Sequence, residues 1–283
     1  MTPKGAVVIT GASTGIGRSC ALRLDRAGFD VFAGVRKPED GEALVAAASD
    51  RLRPLAIDVT DAGSIAAAAT EIEEATGGRL AGLVNNAGIA LAGPIEGVAL
   101  DELRRQFEVN VFGQVAVTQA LLSMVRAAKG RVVFMSSVGG RNALPYISPY
   151  SSSKHAIEAI GDALRIEMRP FGVEVAIVEP GSVATPIWEK SGSEAATARE
   201  EYGQEIEALY GERMDHMESL AEKTGARGVD PEEVAQAVEH ALTAGKPKTR
   251  YVVGREAKIQ LKVAAALPRR AMDRLIEREI DRS

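Results

Sequence analysis

Three glycines placed directly after an apolar segment constrain the fold of this chain more than any other feature. The segment Ala6–Thr10 reads as a buried strand, and the glycines follow it at positions 11, 15 and 17. Glycine permits positive φ angles and lets a ligand approach the backbone, and the unpaired N–H groups at a helix N-terminus attract phosphate. The pattern therefore predicts a strand, a tight turn and a helix that hold a dinucleotide. Its spacing, Gly-x3-Gly-x-Gly, differs from the commoner Gly-x-Gly-x-x-Gly fingerprint.

The rest of the chain alternates apolar segments with longer segments of helical character. Most of the apolar segments lack the polar alternation of a half-exposed strand, as in Val173–Val178, and the intervening segments have room for crossover helices. We therefore predict an α/β chain with a doubly wound Rossmann fold, whose seven-stranded parallel sheet carries helices on both faces. Ligands in such sheets bind outside the carboxyl ends of the strands. The predicted strands are 6–10, 30–35, 53–58, 81–85, 131–136, 173–179 and 250–253, and long helices are predicted at 60–76 and 101–128.

A phenol and an ammonium group stand four residues apart at Tyr150 and Lys154. That spacing places both side chains on one helix face, and a nearby cation lowers the pKa of a tyrosine, which is ordinarily about 10. Upstream, the predicted strand 131–136 delivers the hydroxyl of Ser137 to the same edge of the sheet. The three side chains together suggest a site for proton transfer. Alone, the Tyr/Lys spacing is weak evidence, because it also occurs on ordinary solvated helix faces.

The order of these motifs resembles that of the short-chain dehydrogenase/reductase family. The resemblance covers residues 6–185 and rests on the glycine turn, Asn85–Gly88, Ser137, Tyr150-x3-Lys154 and Pro180–Thr185. It implies that Ser137 holds the substrate oxygen, that Tyr150 exchanges the proton, and that Lys154 binds the nicotinamide ribose and lowers the tyrosine pKa. It also implies a fourth catalytic residue, Asn110, which would hold a water that relays protons. The alternative for Asn110 is a structural role at a helix kink.

The same resemblance implies a set of residues that bind a nicotinamide dinucleotide. Asp58 would contact the adenine amino group, although the sequence Asp-Val-Thr-Asp from this position could equally cap a helix. Asn86, Ala87 and Gly88 would line the adenosine side of the cleft, and a structural role in steadying the sheet is the alternative for this segment. The full set comprises Gly11, Ser13, Thr14, Gly15, Ile16, Gly17, Arg36, Asp58, Val59, Asn86, Ala87, Gly88, Tyr150, Lys154, Pro180, Gly181, Val183 and Thr185.

The second predicted strand ends without a carboxylate, and Arg36 and Lys37 follow it directly. An acidic side chain at this place binds the ribose hydroxyls of NAD and repels a 2′-phosphate, whereas an arginine pairs with that phosphate. We therefore expect NADP(H) rather than NAD(H), with Arg36 as the phosphate ligand and with Ser13 or Thr14 as additional hydroxyl ligands. The alternative is that both basic residues are solvated loop charges.

Composition argues against several other classes of protein. The net charge is −5 and the basic residues are scattered, so the chain offers no cationic stripe for nucleic acid. The single cysteine, Cys20, falls in the first predicted helix and is expected to pack there, and the three histidines show no metal-ligand spacing. There is no room for a signal peptide before the first strand and no apolar run near the ~20 residues of a membrane span. We therefore expect a cytoplasmic protein with no integral membrane segment and no metal.

Past Thr185 the resemblance weakens, and residues 186–228 read as a helical substrate lid within a single domain of residues 1–283. Residues 255–283 read as an amphipathic helical tail that covers the core, or less often a membrane surface. Tyr146 flanks the catalytic edge by its position. Helix-spaced Met and aromatic residues are more often part of the core than of a ligand pocket. The candidate residues for an apolar pocket in the lid are Ile187, Trp188, Tyr202, Tyr210, Met214 and Met217.

The layout of the tail, together with Arg36, resembles the retinol- and hydroxysteroid-dehydrogenase-like branch of the family. That implies a bulky or apolar substrate and a homodimer or homotetramer. The expected function is an NADP(H)-dependent oxidoreductase that interconverts a secondary alcohol and a ketone or aldehyde. An NAD(H)-dependent dehydrogenase is the first alternative. A redox sensor without catalysis is disfavoured because all four catalytic positions are filled, and an epimerase or dehydratase is disfavoured by the glycine spacing.

Overall fold

A computed structural model describes residues 4–185, 199 and 203–280. The strands are β1 (Ala6–Ile9), β2 (Asp30–Val35), β3 (Leu52–Ala56), β4 (Gly82–Asn85), β5 (Arg131–Met135), β6 (Glu174–Pro180) and β7 (Arg250–Val253). They form one seven-stranded sheet in the order β3-β2-β1-β4-β5-β6-β7, and every pair in it is parallel. The doubly wound α/β fold predicted from the sequence is thereby confirmed. Strand order reverses between β1 and β4, so the expected ligand crevice opens at the carboxyl ends of these two strands.

Helices cover both faces of this sheet. They are α1 (Gly15–Arg26), α2 (Pro38–Val45), α3 (Ala62–Thr76), α4 (Leu100–Phe107), α5 (Gln114–Ala128), α6 (Ser148–Met168), α7 (Gln204–Ala226), α8 (Pro231–Thr243), α9 (Arg255–Ala266) and α10 (Arg269–Ile280). Because successive side chains of a strand point to opposite faces, the sheet has two cores. Val7 and Ile9 of β1 pack on the side of α1 and α8, whereas Val8 packs on the side of α3, α5 and α6.

Cys20 lies in the first of these cores, on α1. Burial raises the pKa of its thiol to about 12, so the side chain acts there as a small apolar group, as expected. On the outside of the same layer, the guanidinium of Arg23 on α1 binds Glu232 and Glu239 of α8. These ion pairs join two helices that are far apart in the sequence.

The predicted helix at 101–128 is present but is not regular. A π-helical segment, Glu108–Gly113, separates α4 from α5, and such widened turns occur mostly at functional sites. A β-carbon on Gly113 would lie 2.7 Å from the carbonyl oxygen of Val59. The segment therefore approaches the chain beyond β3 so closely that only glycine fits.

One stretch of the described residues, Leu100–Ala128, is long and apolar enough to cross a membrane by length and composition, with a mean hydropathy of 1.3. The sequence predicted a helix at 101–128 but no membrane span, because polar residues such as Gln114 and Thr118 interrupt the apolar run. In the fold, 44% of its apolar window is buried, and Val117 and Leu121 lie in the core beside the sheet. A core helix passes the same test, so the stretch is weak evidence for a membrane span.

The predicted lid lies partly outside the described residues. Outside the described residues are 186–198 and 200–202, which include Ile187, Trp188 and Tyr202. Helix α7 is the main part of the lid that the structure describes. The tail forms α9 and α10, divided at Pro268, which cannot continue a helix. Ala257 and Leu261 of α9 are buried, as expected for a helix that covers the core.

Candidate functional site

The turn after β1 is held by hydrogen bonds from the end of β4. Thr10 Oγ1 accepts hydrogen bonds from the backbone N–H groups of Asn86 and Ala87, both at 3.0 Å. In return, Asn86 Nδ2 donates to the carbonyl oxygens of Thr10 and Gly11, also at 3.0 Å. A β-carbon on Gly17 would lie only 2.1 Å from the Gly11 oxygen. Asn86 therefore shapes the turn through its side chain, which is the structural role that the sequence left open.

The other residues of the turn surround the N-terminus of α1. Gly15, with a φ of +54°, begins the helix, and Gly11 has a φ of +65°. Thr14 is the N-cap residue, but its side chain makes no capping hydrogen bond within the described part of the chain. The first N–H groups of α1 and the hydroxyls of Ser13 and Thr14 are thus available to an anion at this helix end.

The ends of β2 and β3 bring a basic and an acidic side chain together. Arg36 is exposed directly after β2, and Asp58 follows β3. Asp58 Oδ1 accepts hydrogen bonds from the N–H and the hydroxyl of Thr60, at 2.9 and 2.7 Å. These bonds, and to a smaller degree the charge of Arg36, hold the pKa of Asp58 below its ordinary value.

Helix α3 is capped from the segment Asp-Val-Thr-Asp, as the sequence allowed. Asp61 Oδ1 accepts a hydrogen bond from the N–H of Ser64 at 2.5 Å and is the N-cap, so the cap is the last residue of that segment and not Asp58. The side chain of Val59 packs in the core. Only its backbone is therefore available to a ligand in the crevice.

The hydroxyls of Ser137 and Tyr150 meet at the carboxyl end of β5. Ser137 Oγ accepts a hydrogen bond from the N–H of Gly139 at 3.1 Å, lies 3.5 Å from the Pro180 carbonyl oxygen, and is hydrogen-bonded to the side chain of Tyr150. Tyr150 is 8% exposed. Burial raises the pKa of Tyr150, and the hydrogen bond with Ser137 opposes that rise. The phenol therefore stays protonated at neutral pH.

Lys154 lies one turn further along α6, on the same face as Tyr150. Its Nζ atom donates a hydrogen bond to the carbonyl oxygen of Met135 at 2.8 Å and lies 5.6 Å from the centre of the Tyr150 ring. Burial lowers the pKa of Lys154 from 10.5 to about 8, and the charge of Glu158 opposes that fall. The sequence prediction that Lys154 lowers the Tyr150 pKa does not hold in this structure, because the ammonium group contacts a carbonyl and burial of the phenol dominates.

Asn110 lies in the π-helical segment and is fully buried. Its Oδ1 atom accepts a hydrogen bond from the N–H of Ile89 at 2.8 Å, and its Nδ2 atom donates to the carbonyl oxygen of Ile89 at 2.9 Å and to Ser153 Oγ at 3.1 Å. Three of the four hydrogen-bonding positions of the amide are thus used. The side chain fixes the chain after β4 against α6, which leaves little capacity for the relay water expected from the sequence.

The segment after β6 closes the same edge of the sheet. The N–H of Gly181 donates to the Val253 carbonyl oxygen at 3.0 Å, and Val183 is buried and pairs with Val229, beyond α7. Gly88, across the crevice, lies beside the lysine: a β-carbon on it would be 3.6 Å from Lys154 Nζ. Residues from β1, β4, β5 and β6 therefore converge on one edge. Thr185 is the last described residue before the lid.

A partly buried cluster of charged side chains beside Lys154 was not predicted from the sequence. Arg250 Nε lies 3.1 Å from Glu158 Oε2 and 3.0 Å from Glu179 Oε1, and Arg250 Nη2 lies 2.6 Å from Asp162 Oδ2. Burial raises the pKa of Glu179, as does the charge of Glu158, while Arg141 and Arg250 oppose the rise. The available signal was a glutamate inside the apolar strand β6. Within the described residues, no group of three His, Cys, Asp or Glu side chains could hold a metal ion.

The sequence and the fold both resemble those of known proteins. The sequence profile of the family described as short chain dehydrogenase matches residues 5–196. The chain is similar to an NADPH-dependent 3-dehydrocapnine reductase of Ornithobacterium rhinotracheale, with 40% identity over 96% of each chain. It is also similar to retinol dehydrogenase 5 of Mus musculus, with 40% identity over 95% of this chain and 87% of the relative. A solved short-chain dehydrogenase from Streptomyces avermitilis superimposes with a TM-score of 0.80 at 33% identity, over 94% of each chain.

Proposed function

Because the chain belongs to the short chain dehydrogenase family, in its retinol- and hydroxysteroid-dehydrogenase-like branch, and is an NAD(P)-dependent oxidoreductase, we propose that it interconverts a secondary alcohol and a ketone, or a primary alcohol and an aldehyde, with NADP(H). The observation that carries the proposal is the contact between the hydroxyls of Ser137 and Tyr150 beside a buried lysine. This trio lies at the sheet edge that also holds the glycine turn. When bound, the nicotinamide supplies or accepts the hydride.

The four catalytic positions have distinct proposed roles. Ser137 holds the substrate oxygen, and Tyr150 gives its proton to that oxygen during reduction and removes it during oxidation. The raised pKa of Tyr150 suits the first direction, since the phenol is fully protonated at neutral pH. Lys154 binds the nicotinamide ribose as an ammonium ion. Asn110 holds Ile89, and with it the wall of the crevice, in position.

The residues around the glycine turn fit a dinucleotide phosphate. The Gly17 site has no room for a side chain, and the free helix N-terminus of α1 offers N–H groups to an anion. Arg36 is exposed beyond β2, and this strand ends in Val35 rather than in an acidic residue, which favours a 2′-phosphate. The similarity to a reductase named as NADPH-dependent supports the same cofactor. The other crevice residues predicted from the sequence also belong to this proposed dinucleotide site. Val59 contributes to it only through its backbone.

The substrate is proposed to enter beneath the lid, residues 186–228. The lid and the sheet are proposed to belong to a single domain of residues 1–283. Tyr146 has a φ of +63°, which is rare outside glycine and marks functional segments. Its ring meets that of Tyr210 on α7 at 6.4 Å, and the Tyr210 hydroxyl donates to Glu96 Oε2 at 2.6 Å. Two aromatic rings at the mouth of the site suit a bulky or apolar substrate, as the name of the retinol dehydrogenase relative also suggests.

The protein is also proposed to be cytoplasmic and to assemble as a homodimer or homotetramer. Several large apolar side chains are exposed on the π-helical segment and around the end of α6, and they support an interface between copies of the chain. These side chains are Phe112, Ile166 and Phe171.

Replacement of the proposed acid tests the reaction. In Tyr150→Phe the ring remains and the proton is lost, so we expect turnover to fall about 10²–10⁴-fold while NADPH still binds. The assay follows nicotinamide absorbance with retinoids, steroids and small ketones. Tyr251→Phe is the matched control, because this tyrosine is also 8% exposed but binds His240 and Lys248 instead of Ser137. Undiminished turnover of Tyr150→Phe contradicts the mechanism.

The cofactor preference is tested at the end of β2. Arg36→Asp should lower the ratio of kcat/KM for NADPH to that for NADH by about 10–100-fold, because a charged pair with the phosphate is replaced by repulsion. Lys37→Asp makes the same change of charge one residue further and should alter the ratio far less. An unchanged ratio in Arg36→Asp would favour the NAD(H) alternative.

A further inference from the structure

A buried carboxylate lies one helical turn beyond Lys154. Glu158 follows it by four residues on α6, which places their β-carbons about 5–6 Å apart on one face. The two residues are 7% and 4% exposed. Lys154 Nζ contacts the Met135 oxygen at the end of β5, and Glu158 Cγ lies 3.1 Å from the position that a β-carbon on Gly140 would occupy, in the turn after that strand. Lys154 therefore reaches the end of β5, and Glu158 packs against the turn that follows this strand.

The charge of Glu158 is only partly neutralised by its own partner. Oε2 is held by Arg250 Nε at 3.1 Å, but the same guanidinium also binds Glu179 and Asp162. The other oxygen, Oε1, makes no hydrogen bond within the described part of the chain. Because charges interact strongly in a poorly solvated interior, this carboxylate also acts on the buried ammonium group of Lys154, four residues before it on the same helix face.

The other ionisable groups around Lys154 do not replace Glu158. On α6, Tyr150 is neutral at physiological pH. Glu179 on β6 and Arg141, after the turn Val138–Gly140, bind each other at 3.3 Å. From the side of the π-helical segment, Glu108 is exposed. The acids of α4, which also packs against α6, are exposed or half-exposed and pair with arginines of the same helix: they are Asp101 with Arg104 and Glu102 with Arg105.

We propose that Glu158 is a positioning residue for Lys154: its buried carboxylate keeps the lysine in the ammonium form that contact with the nicotinamide ribose requires. The inference rests on the role of Lys154 in the proposed function. The direction of the lysine pKa supports it, since burial lowers that pKa to about 8 while Glu158 opposes the fall. With a pKa near 8, about 90% of Lys154 is protonated at pH 7, and a further drop of about one unit would leave about half.

The experiment measures NADPH binding by fluorescence between pH 6 and 10, without any substrate. For the wild type we expect affinity to fall above about pH 8, as Lys154 loses its proton. In Glu158→Gln the midpoint of that fall should move down by about one pH unit, so that affinity is several-fold weaker at pH 8 and near the wild-type value at pH 6.

Asp162→Asn is the matched control, because Asp162 binds the same Arg250 guanidinium but lies a further turn from Lys154. It should keep the wild-type midpoint, whereas a purely structural role for the cluster would give both variants the same behaviour. If Glu158→Gln does not fold, as judged by circular dichroism, Glu158→Met removes the charge without adding an amide that needs partners, and the same shift is expected.

An unshifted midpoint in the folded Glu158 variant overturns the inference while leaving the proposed function intact. By contrast, a wild-type curve without an alkaline fall, or a Lys154→Met variant that retains it, contradicts the role of Lys154 itself. In that case both the proposed ribose contact and this inference fail. The Tyr150→Phe result on turnover is independent of either outcome.

Discussion

The nucleotide edge of the sheet, around β1 and β4, is built differently from the catalytic edge, around β5, β6 and α6. At the nucleotide edge, the side chains of Thr10 and Asn86 make four hydrogen bonds of 3.0 Å to backbone groups of the facing segment, two of them between Thr10 and Asn86 and the others to Ala87 and Gly11. Buried polar atoms without hydrogen-bond partners among the described residues occur at both edges, on Asn85 of β4 and on Ser136, Ser151 and Glu158, but the catalytic edge also holds the buried charged side chains of Lys154 and Glu158. The first edge is fixed by backbone packing, whereas the second holds buried charge that opposes folding. We therefore expect substitutions at the nucleotide edge to lower stability and function together. At the catalytic edge, a substitution should be able to lower activity while it raises stability.

The largest effect is expected at the nucleotide edge, from Gly17→Ala. The new β-carbon would lie 2.1 Å from the Gly11 oxygen and 2.5 Å from Asn86 Nδ2. Neither atom is at the end of a flexible side chain that is free to move, so we expect a loss of about 3 kcal/mol or more, divided between the free energy of unfolding and that of NADPH binding. Urea unfolding and NADPH fluorescence measure the two parts.

Gly245→Ala is the control for that change. Nothing lies within 4 Å of a β-carbon at this position, which is in the loop before β7. Its unfolding midpoint and NADPH affinity should stay within error of the wild type. If Gly17→Ala behaved like Gly245→Ala, the tight contact between the turn and α1 would not exist in solution.

At the catalytic edge we expect the opposite relation from Lys154→Met, which should lose activity and gain stability. The fall of the lysine pKa from 10.5 to about 8 corresponds to about 3 kcal/mol of destabilisation where the unfolded lysine is charged. Loss of the hydrogen bond to Met135 offsets about 1 kcal/mol of the gain. The variant should thus be more stable than the wild type by about 2 kcal/mol at pH 7.

The pH dependence gives the sign of this effect. Below pH 8 the ammonium form is present in both states and the folded protein carries the full penalty. Between pH 8 and 10.5 the folded state has lost a proton that the unfolded state retains, so wild-type stability rises relative to the variant. Urea unfolding of both proteins at pH 7 and pH 10 measures the difference, which should shrink at pH 10. A variant less stable than the wild type at pH 7 would show that the buried lysine supports the fold.

The two edges also differ in how much of them the sequence predicted. The strands and their parallel direction follow from local patterns, because most strands buried in a parallel sheet are continuously apolar. The turn at Gly17 follows from the fixed spacing of its glycines. The π-helical segment around Asn110 does not, because a single widened turn is too short to change the apolar periodicity of the long helix in which it lies. The N-cap of α3 was ambiguous between Asp58 and Asp61, because both carboxylates precede the helix within about one turn.

The electrostatics of the catalytic edge were the least predictable part. The spacing of Tyr150 and Lys154 correctly suggested a shared helix face, but the pKa of a phenol depends on its burial, which a spacing does not contain. The contact between Arg250 and Glu158 joins residues 92 positions apart. Only the folded sheet brings β7 beside α6, so the charges that act on Lys154 were not visible in the local sequence.

The smallest effect is expected at the lid, where Tyr210→Phe removes the hydrogen bond to Glu96 but keeps the ring against Tyr146. Both partners of that bond are at the surface, so the unfolding midpoint should barely change. If the contact holds α7 over the substrate, KM for a bulky substrate should rise a few-fold while NADPH affinity and kcat stay near the wild type. Tyr210→Ala, which also removes the ring contact, should raise KM further. Equal KM values for all three proteins would show that α7 does not line the substrate site, and the difference between the edges would then lie in β5, β6 and α6 alone.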